Sequence, residues 1–195
     1  LILFLGYLFG SFPSGYLAGR IAKGIDIRSL GSGSTGTTNV LRHIGKRAAI
    51  TVFLLDVFKG IISILLAKYF LLNDSWQVAI GLSTLIGHIW PVWLNWRGGK
   101  AVATGLGIFL GLSWQVGLAT LGIFILMITL FRIVSLASVS AALALPFIML
   151  LSFKSSSISL PFLVISLFSM ILVIWRHREN ILRLIKGKEP KIGQP

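Results

Sequence analysis

The stretch Gly31-Ser-Gly-Ser-Thr-Gly-Thr-Thr-Asn39 lies between two long apolar segments in the N-terminal half of the chain. Its three glycines allow tight turns in which successive backbone N–H groups point inward. Hydroxyl and amide side chains add further donors, and Arg42, Lys46 and Arg47 follow with positive charge. Taken alone, the stretch suits either a phosphate-binding nest or a flexible polar loop between two membrane helices.

The composition indicates a membrane protein. Of the 195 residues, 55% are hydrophobic and only 12% are charged, against about 25% in ordinary soluble domains. The apolar residues form long blocks, which predict an all-α integral membrane protein with one polytopic domain over residues 1–195. The absence of cysteine excludes disulfides, thiolate metal sites and a cysteine nucleophile. The basic residues flank the apolar blocks, so the net charge of +13 indicates membrane topology and not nucleic-acid binding.

The apolar blocks predict about seven transmembrane helices, at residues 1–19, 48–72, 76–96, 101–114, 115–131, 133–153 and 158–175, followed by a basic tail over 176–195. Block 101–114 would be about 21 Å long as a helix, which is less than the ~30 Å hydrocarbon core. It is therefore either a short span or a re-entrant half-helix. The first block lacks a basic start and a small-residue cleavage site, so we expect a span and not a removable signal peptide.

Positive charge predicts the orientation of these spans. With seven crossings, fifteen lysines and arginines fall on one side and two on the other, which favours a cytoplasmic C-terminus and an external N-terminus. On this topology four parts of the chain reach one cytoplasmic layer: loop 31–47, residues 97–100, the turn at Arg132 and the segment at His177.

Two further stretches carry chemistry. Gly98, Gly99 and Lys100 precede a predicted helix, so they suit either an anion site or a glycine turn with an anchoring lysine. The nucleotide-binding P-loop pattern is absent there. His177 and Asn180 share a helix face at the end of the last span, where they could handle a hydroxyl and a phosphate or belong to a snorkelling basic cap.

The remaining polar residues inside spans allow two interpretations each. Asp56 and Lys59 are three residues apart, so they either neutralise each other or present Lys59 to a phosphate pocket with Asp56 orienting it. Ser135 and Ser138 either reach the site layer or pack between helices. His43 and His88 as lone histidines favour structural roles. No metal site is expected, because the chain has five acidic residues and no cluster with ligand spacing.

Taken together, these motifs closely resemble the PlsY family of bacterial acyl-phosphate:glycerol-3-phosphate acyltransferases. The resemblance rests on Gly-Ser-Gly-x-x-Gly-x-Thr-Asn at 31–39, Asp-x-x-Lys-Gly at 56–60, Gly-His-x-x-Pro at 87–91, Gly-Gly-Lys at 98–100 and His-Arg-Glu-Asn at 177–180. Each motif alone is weak, but their order within one topology is specific and covers nearly the whole chain. The soluble acyltransferase pattern, His followed four residues later by Asp, is missing at all three histidines.

The resemblance implies transfer of a fatty acyl group from acyl phosphate to the 1-hydroxyl of glycerol 3-phosphate. The products would be lysophosphatidic acid and inorganic phosphate, formed in phospholipid biosynthesis without a covalent acyl-enzyme, cofactor or metal. It implies catalytic roles for His177, Asn180, Ser138 and Lys100. It implies substrate binding by Ser32, Gly33, Ser34, Gly36, Thr38, Asn39, Arg42, Lys59, His88, Gly98 and Gly99.

Several alternatives remain open at this level. The base that removes the hydroxyl proton is either His177 or the donor phosphate itself, and the surrounding positive charge favours the phosphate. A transporter of a phosphorylated metabolite is the competing function, although the spans offer few polar residues to line a path. We expect a multi-pass protein of the bacterial inner membrane. Its basic cytoplasmic face suits a soluble acyl-phosphate synthase or anionic lipid equally well.

Overall fold

The computed structural model describes residues 1–154 and 159–193, and every regular element in these ranges is helical. Residue 158, the predicted start of the last span, and residues 194–195 of the tail lie outside them. The described ranges form ten α-helices: α1 (Ile2–Ser11), α2 (Ser14–Lys23), α3 (Thr37–His43), α4 (Lys46–Tyr69), α5 (Asp74–Ile89), α6 (Val102–Leu112), α7 (Trp114–Phe131), α8 (Val134–Lys154), α9 (Leu160–Arg176) and α10 (Arg178–Ile185). The all-helical membrane fold is thereby confirmed.

The number of membrane spans is bounded by helix length. In the part of the chain that the structure describes, five helical stretches are long and apolar enough to cross a bilayer, and a sixth results if α9 and α10, bent by 62°, form one span. Helix α6 has 11 residues and is about 17 Å long, so it is too short to cross ~30 Å alone. Seven crossings, the re-entrant alternative for 101–114 and the orientation therefore stay predictions.

The first predicted span is broken in the middle. Helix α1 ends at Ser11 and α2 begins at Ser14, because Pro13 has no N–H to continue the helical hydrogen bonds. The break places the Ser14 side chain at the start of α2, where it is buried. A small polar group thus reaches the interior of an apolar span.

Residues Leu1–Gly111 form one compact unit. Its helices approach closely at glycines: a methyl group at Gly10 of α1 or Gly87 of α5 would overlap backbone of the other helix. The same holds for Gly60 of α4 and Gly107 of α6. Close backbone packing at small residues is the usual way in which membrane helices associate, and it sets α4, α5 and α6 side by side around their polar residues.

Residues Leu112–Pro195 form the second compact unit, in which α8 packs against both α7 and α9. Arg132 links α7 to α8 with a left-handed backbone, φ 58°. After α10 the tail returns to this turn, where the Ile192 N–H donates to the Arg132 carbonyl at 2.7 Å. The return places the tail against the start of α8.

Candidate active site

The glycine-rich loop is built around the side chain of Asn39. This side chain is 3% exposed, and its oxygen accepts from the Ser32 N–H at 3.3 Å. Its amide nitrogen lies 2.9–3.0 Å from three backbone carbonyls, those of Ile27, Leu30 and Ser34. Gly31 and Gly33 have φ of 55° and 65°, values that glycine adopts without strain. Asn39 therefore holds the loop in one conformation from within.

This conformation leaves a row of backbone donors unused. Within the described residues, the N–H groups of 34–38 make no hydrogen bond. Gly36 precedes the first turn of α3, Thr38 lies in that turn, and the Ser32 and Ser34 hydroxyl oxygens are 3.2 Å apart. Adjacent N–H groups on a glycine turn are suited to bind an anion. The nest interpretation of 31–39 thus has the donors that it needs.

Charged residues surround this loop and connect it to the turn after α5. Arg28 pairs with Asp26 at 2.7 Å and also donates to the Leu94 carbonyl at 2.8 Å. The hydrogen bond from Arg28 holds the pKa of Asp26 below its usual value of 3.8. Arg42 is exposed in the last turn of α3, so its guanidinium is accessible beside the loop. The glycine-rich loop and the turn after α5 therefore both carry cations next to backbone donors.

A buried polar cluster lies between the helices of the same unit. Asp56, 1% exposed, accepts hydrogen bonds at one oxygen from Ser14 at 2.6 Å and from Lys59 at 2.9 Å. The His88 Nδ1 atom is 3.8 Å from that oxygen and 3.1 Å from the Thr104 hydroxyl. The structure thus supports the neutralising pair for Asp56 and Lys59, because a buried charge is costly unless it is paired.

The Gly98–Gly99 turn is attached to the end of α5. The Gly98 N–H donates to the Ile89 carbonyl at 3.1 Å, and the Gly99 N–H donates to the His88 carbonyl at 3.0 Å. Both glycines are buried, Lys100 is half-buried, and α6 follows at once. The turn therefore presents a lysine and a helix start on a backbone that α5 fixes.

In the second unit, His177 occupies the bend between α9 and α10 and is 3% exposed. Its Nδ1 atom is 2.8 Å from the Val173 carbonyl oxygen. A carbonyl oxygen only accepts, so Nδ1 carries the proton and the neutral ring has its lone pair on Nε2. This tautomer is the one that a base acting through Nε2 requires.

Asn180, one turn further along, is bound to a buried carboxylate of the tail. Its amide donates to Glu189 Oε1 at 2.6 Å, Ser135 donates to the same oxygen at 2.8 Å, and Arg183 donates to Oε2 at 2.7 Å. Burial works to raise the pKa of Glu189, but these three hydrogen bonds outweigh it and the pKa lies below the usual 4.5. Ser138 is 4% exposed and donates to the Val134 carbonyl of its own helix.

The structure thus groups the predicted residues by unit. It brings Lys59, His88, Gly98 and Gly99 together, and it holds the loop residues 32–39 in one conformation around Asn39. In the other unit it links Asn180 to Glu189, a residue that sequence reasoning missed. The available signal was that Glu189 is the one acidic residue among the cations of segment 183–191.

Comparison with known proteins shows similarity along nearly the full length. The model of the family described as glycerol-3-phosphate acyltransferase matches residues 1–187. A glycerol-3-phosphate acyltransferase of Prochlorococcus marinus (strain NATL2A) is 88% identical over 195 residues, which cover 100% of this chain and 98% of the relative. One from Parasynechococcus marenigrum (strain WH8102) is 61% identical over 194 residues, covering 100% of this chain and 90% of the relative.

Solved structures give the same result. The crystal structure of PlsY (YgiH), an integral membrane glycerol 3-phosphate acyltransferase in its glycerol 3-phosphate form, has a TM-score of 0.87 and 37% identity to this chain. The alignment covers 98% of this chain and 94% of that one. The lysophosphatidic acid form of the same protein gives a TM-score of 0.87 at 36% identity, with the same coverage.

Proposed function

We propose a reaction for this chain from the premise that it belongs to the glycerol-3-phosphate acyltransferase family. As a member it is an integral membrane enzyme of lipid synthesis. In the proposed reaction a fatty acyl group moves from acyl phosphate to the 1-hydroxyl of glycerol 3-phosphate. The products are lysophosphatidic acid and inorganic phosphate. We place the reaction at the cytoplasmic face of a bacterial inner membrane, on the orientation that the charge distribution predicts.

The observation that carries this proposal is the row of unpaired N–H groups at 34–38. They would hold the phosphate of the acyl donor and stabilise the charge that develops on it as it leaves. The hydroxyls of Ser32 and Ser34 lie 3.2 Å apart in the same loop, and Asn39 fixes the conformation of that loop. The Thr38 hydroxyl would add a further donor to the phosphate. The acyl chain of the donor would lie among the apolar helices, because their nonpolar side chains provide an environment like the interior of the bilayer.

The acceptor would be bound by residues from several helices. Lys100 and Arg42 would bind the phosphate of glycerol 3-phosphate, because charge-assisted hydrogen bonds from Lys and Arg to phosphate are stronger than hydrogen bonds between neutral groups. Ser138, His177 and Asn180 would orient the glycerol hydroxyls. These assignments follow the family motifs and agree with the burial of all three side chains, which are 3–6% exposed.

The chemistry needs one step. The 1-hydroxyl oxygen attacks the acyl carbonyl carbon, the new ester C–O bond forms, and the acyl–phosphate C–O bond breaks with its electron pair going to phosphate. An acyl phosphate is an activated mixed anhydride, so no covalent acyl-enzyme is required. The hydroxyl proton goes either to Nε2 of His177 or to the leaving phosphate. We favour the phosphate, because nearby cations oppose protonation of the imidazole.

Phosphate release by the purified protein in lipid tests the reaction. Palmitoyl phosphate would be supplied with and without glycerol 3-phosphate, and acyl-CoA would be the control donor. We expect release that needs both substrates, with lysophosphatidic acid formed, and no reaction with acyl-CoA. A well-folded protein that releases no phosphate would refute the reaction and direct attention to uptake of glycerol 3-phosphate in vesicles.

Two sets of variants test the assigned roles. A His177→Gln enzyme with near-normal turnover at saturating substrate would exclude His177 as the base, and we expect that result. Ser138→Ala and Asn180→Ala should raise the KM for glycerol 3-phosphate. An unchanged KM in both would show that the acceptor site lies elsewhere.

A further inference from the structure

The buried face of Gly99 is covered by one side chain. A methyl group at Gly99 would overlap the Nε2 atom of His88 and would approach Cε1 to 2.7 Å and Cδ2 to 3.0 Å. All three atoms belong to the imidazole ring, whose Nε2 corner is therefore directed at the side-chain position of residue 99. Real Cβ atoms essentially never approach other atoms this closely. Residue 99 is thus confined to glycine by a neighbouring side chain.

Gly98 is confined in a different way. A methyl group there would overlap the His88 carbonyl oxygen and would approach the Pro91 Cδ atom to 2.5 Å and the Ile89 carbonyl oxygen to 2.8 Å. The two carbonyls are backbone atoms at the end of α5, which no substitution at position 88 removes. The two adjacent glycines therefore offer a matched pair, in which the obstacle is a removable ring for one and fixed backbone for the other.

The ring of His88 approaches polar side chains on two neighbouring helices. Its Nδ1 edge faces the Thr104 hydroxyl on α6 at 3.1 Å and the Asp56 carboxylate on α4 at 3.8 Å. Lys59 and Ser14 bind the same carboxylate oxygen. His88 is 6% exposed, so the ring cannot leave this position without opening the packing between α4, α5 and α6. The charges of the cluster thus fix the ring that supports the turn.

We infer that His88 is a positioning residue, which fixes the Gly98–Gly99 turn through its carbonyl and its ring and so aims Lys100 and the start of α6 at the acceptor phosphate. This inference rests on the proposed function, since it concerns the same phosphate. On this account residue 99 is glycine because the ring occupies its side-chain space.

A double-mutant comparison tests the inference. Gly99→Ala and Gly98→Ala would each be made in the parent protein and in a His88→Ala background, with Thr84→Ala as a control for buried polar loss on α5. Thr84 is buried and its hydroxyl bonds only within its own helix turn, to Ile80. The readouts are the KM for glycerol 3-phosphate, the KM for palmitoyl phosphate, kcat and the melting temperature in detergent.

We expect Gly99→Ala to raise the KM for glycerol 3-phosphate about tenfold, the size of one lost charged contact, with a smaller change in kcat. In the His88→Ala background the same substitution should have less than a threefold effect, which is less than about half of the parent's loss on a logarithmic scale. Gly98→Ala should be equally harmful in both backgrounds. His88→Ala alone should raise the KM for glycerol 3-phosphate and leave that for palmitoyl phosphate near the parent value, whereas Thr84→Ala should change neither.

Two results would overturn the inference. An equal loss from Gly99→Ala in both backgrounds would mean that substrate, and not the ring, requires glycine. An unchanged KM in His88→Ala would mean that the ring does not position the turn. If the parent protein transfers no acyl group, the proposed reaction is refuted independently of the role of His88. Calorimetric binding of glycerol 3-phosphate and the melting temperatures of the same variants would then test the ring–turn coupling without turnover.

Discussion

Two buried carboxylates, one in each compact unit, differ in where their hydrogen-bond and ion-pair partners lie along the chain. Asp56 lies inside an apolar helix and is neutralised by Lys59, three residues away on the same helix. Glu189 lies in a polar tail and is bound by Ser135, Asn180 and Arg183, which are 54, 9 and 6 residues away. The first cluster is centred on an ion pair within one helix, which neutralises a buried charge, and Ser14 and His88 approach the same carboxylate from other helices. The second joins three separate segments, so its loss should affect geometry more than charge balance.

The comparison predicts the largest effect for Asp56→Ala. The substitution leaves Lys59 as a buried charge without its carboxylate, which costs about 3–5 kcal/mol of stability for a buried pair. We expect a large fall in melting temperature and in folded yield. The double variant Asp56→Leu/Lys59→Met should recover most of the loss, because it removes both charges. A double variant as unstable as the single one would show that the cluster acts through shape and not through charge.

The second largest effect is expected from a negative charge introduced beside Glu189. Asn180→Asp would replace the amide donor by a second carboxylate against Glu189, whose oxygen is 2.6 Å from the Asn180 amide. Like charges at such distances repel strongly, so we expect the KM for glycerol 3-phosphate to rise at least about tenfold. Asn73→Asp is the matched control, since Asn73 caps α5 by accepting from the Trp76 N–H and Asp caps equally well. Equal effects of the two substitutions would contradict the prediction.

Glu189→Gln should have a moderate effect. The amide keeps an oxygen for Asn180 and Ser135 but loses the charge that binds Arg183, whose side chain is 38% exposed. We expect a several-fold rise in the KM for glycerol 3-phosphate and a stability loss of about 1 kcal/mol, reduced by solvent screening. Glu179→Gln is the control, because the Glu179 side chain is 71% exposed and 3.9 Å from Arg178. A larger effect at Glu179 would show that total charge matters more than the buried cluster.

The smallest expected effect is on acid stability. The pKa of Glu189 is lowered in the folded protein, so its contribution is fully present above the unfolded value near 4.5 and is lost as the pH falls through the folded value. The melting temperature of the parent should therefore decrease more steeply below pH 4.5 than that of Glu189→Gln. The lowered pKa of Asp26 adds a contribution of the same sign to both proteins, so it cancels in the difference. Parallel curves would contradict the assignment.

The sequence predicted much of the first unit because its signals are local. The spacing of Asp56 and Lys59 predicted their pairing as one of two alternatives. The glycines of 31–39 predicted a phosphate nest as one of two alternatives, the other being a flexible polar loop. What the sequence did not indicate is that the Asn39 side chain faces three carbonyls of its own loop, or that the His88 ring covers Gly99. Both contacts depend on which parts of the chain lie side by side in the folded protein, and residue types alone do not specify this.

The sequence by itself determined that this is a helical membrane protein, because hydropathy is a property of consecutive residues. The short glycine motifs and the charge asymmetry predicted phosphate binding and membrane orientation from equally local signals. Its family followed from the order of those motifs. Only the tertiary structure decided which polar groups meet. The carboxylate of Glu189 reaches Asn180 because the tail turns back toward Arg132, and the imidazole of His88 lies against Gly99 because the turn before α6 is hydrogen-bonded to the end of α5. Such contacts join residues through packed helices, and no local pattern specifies them.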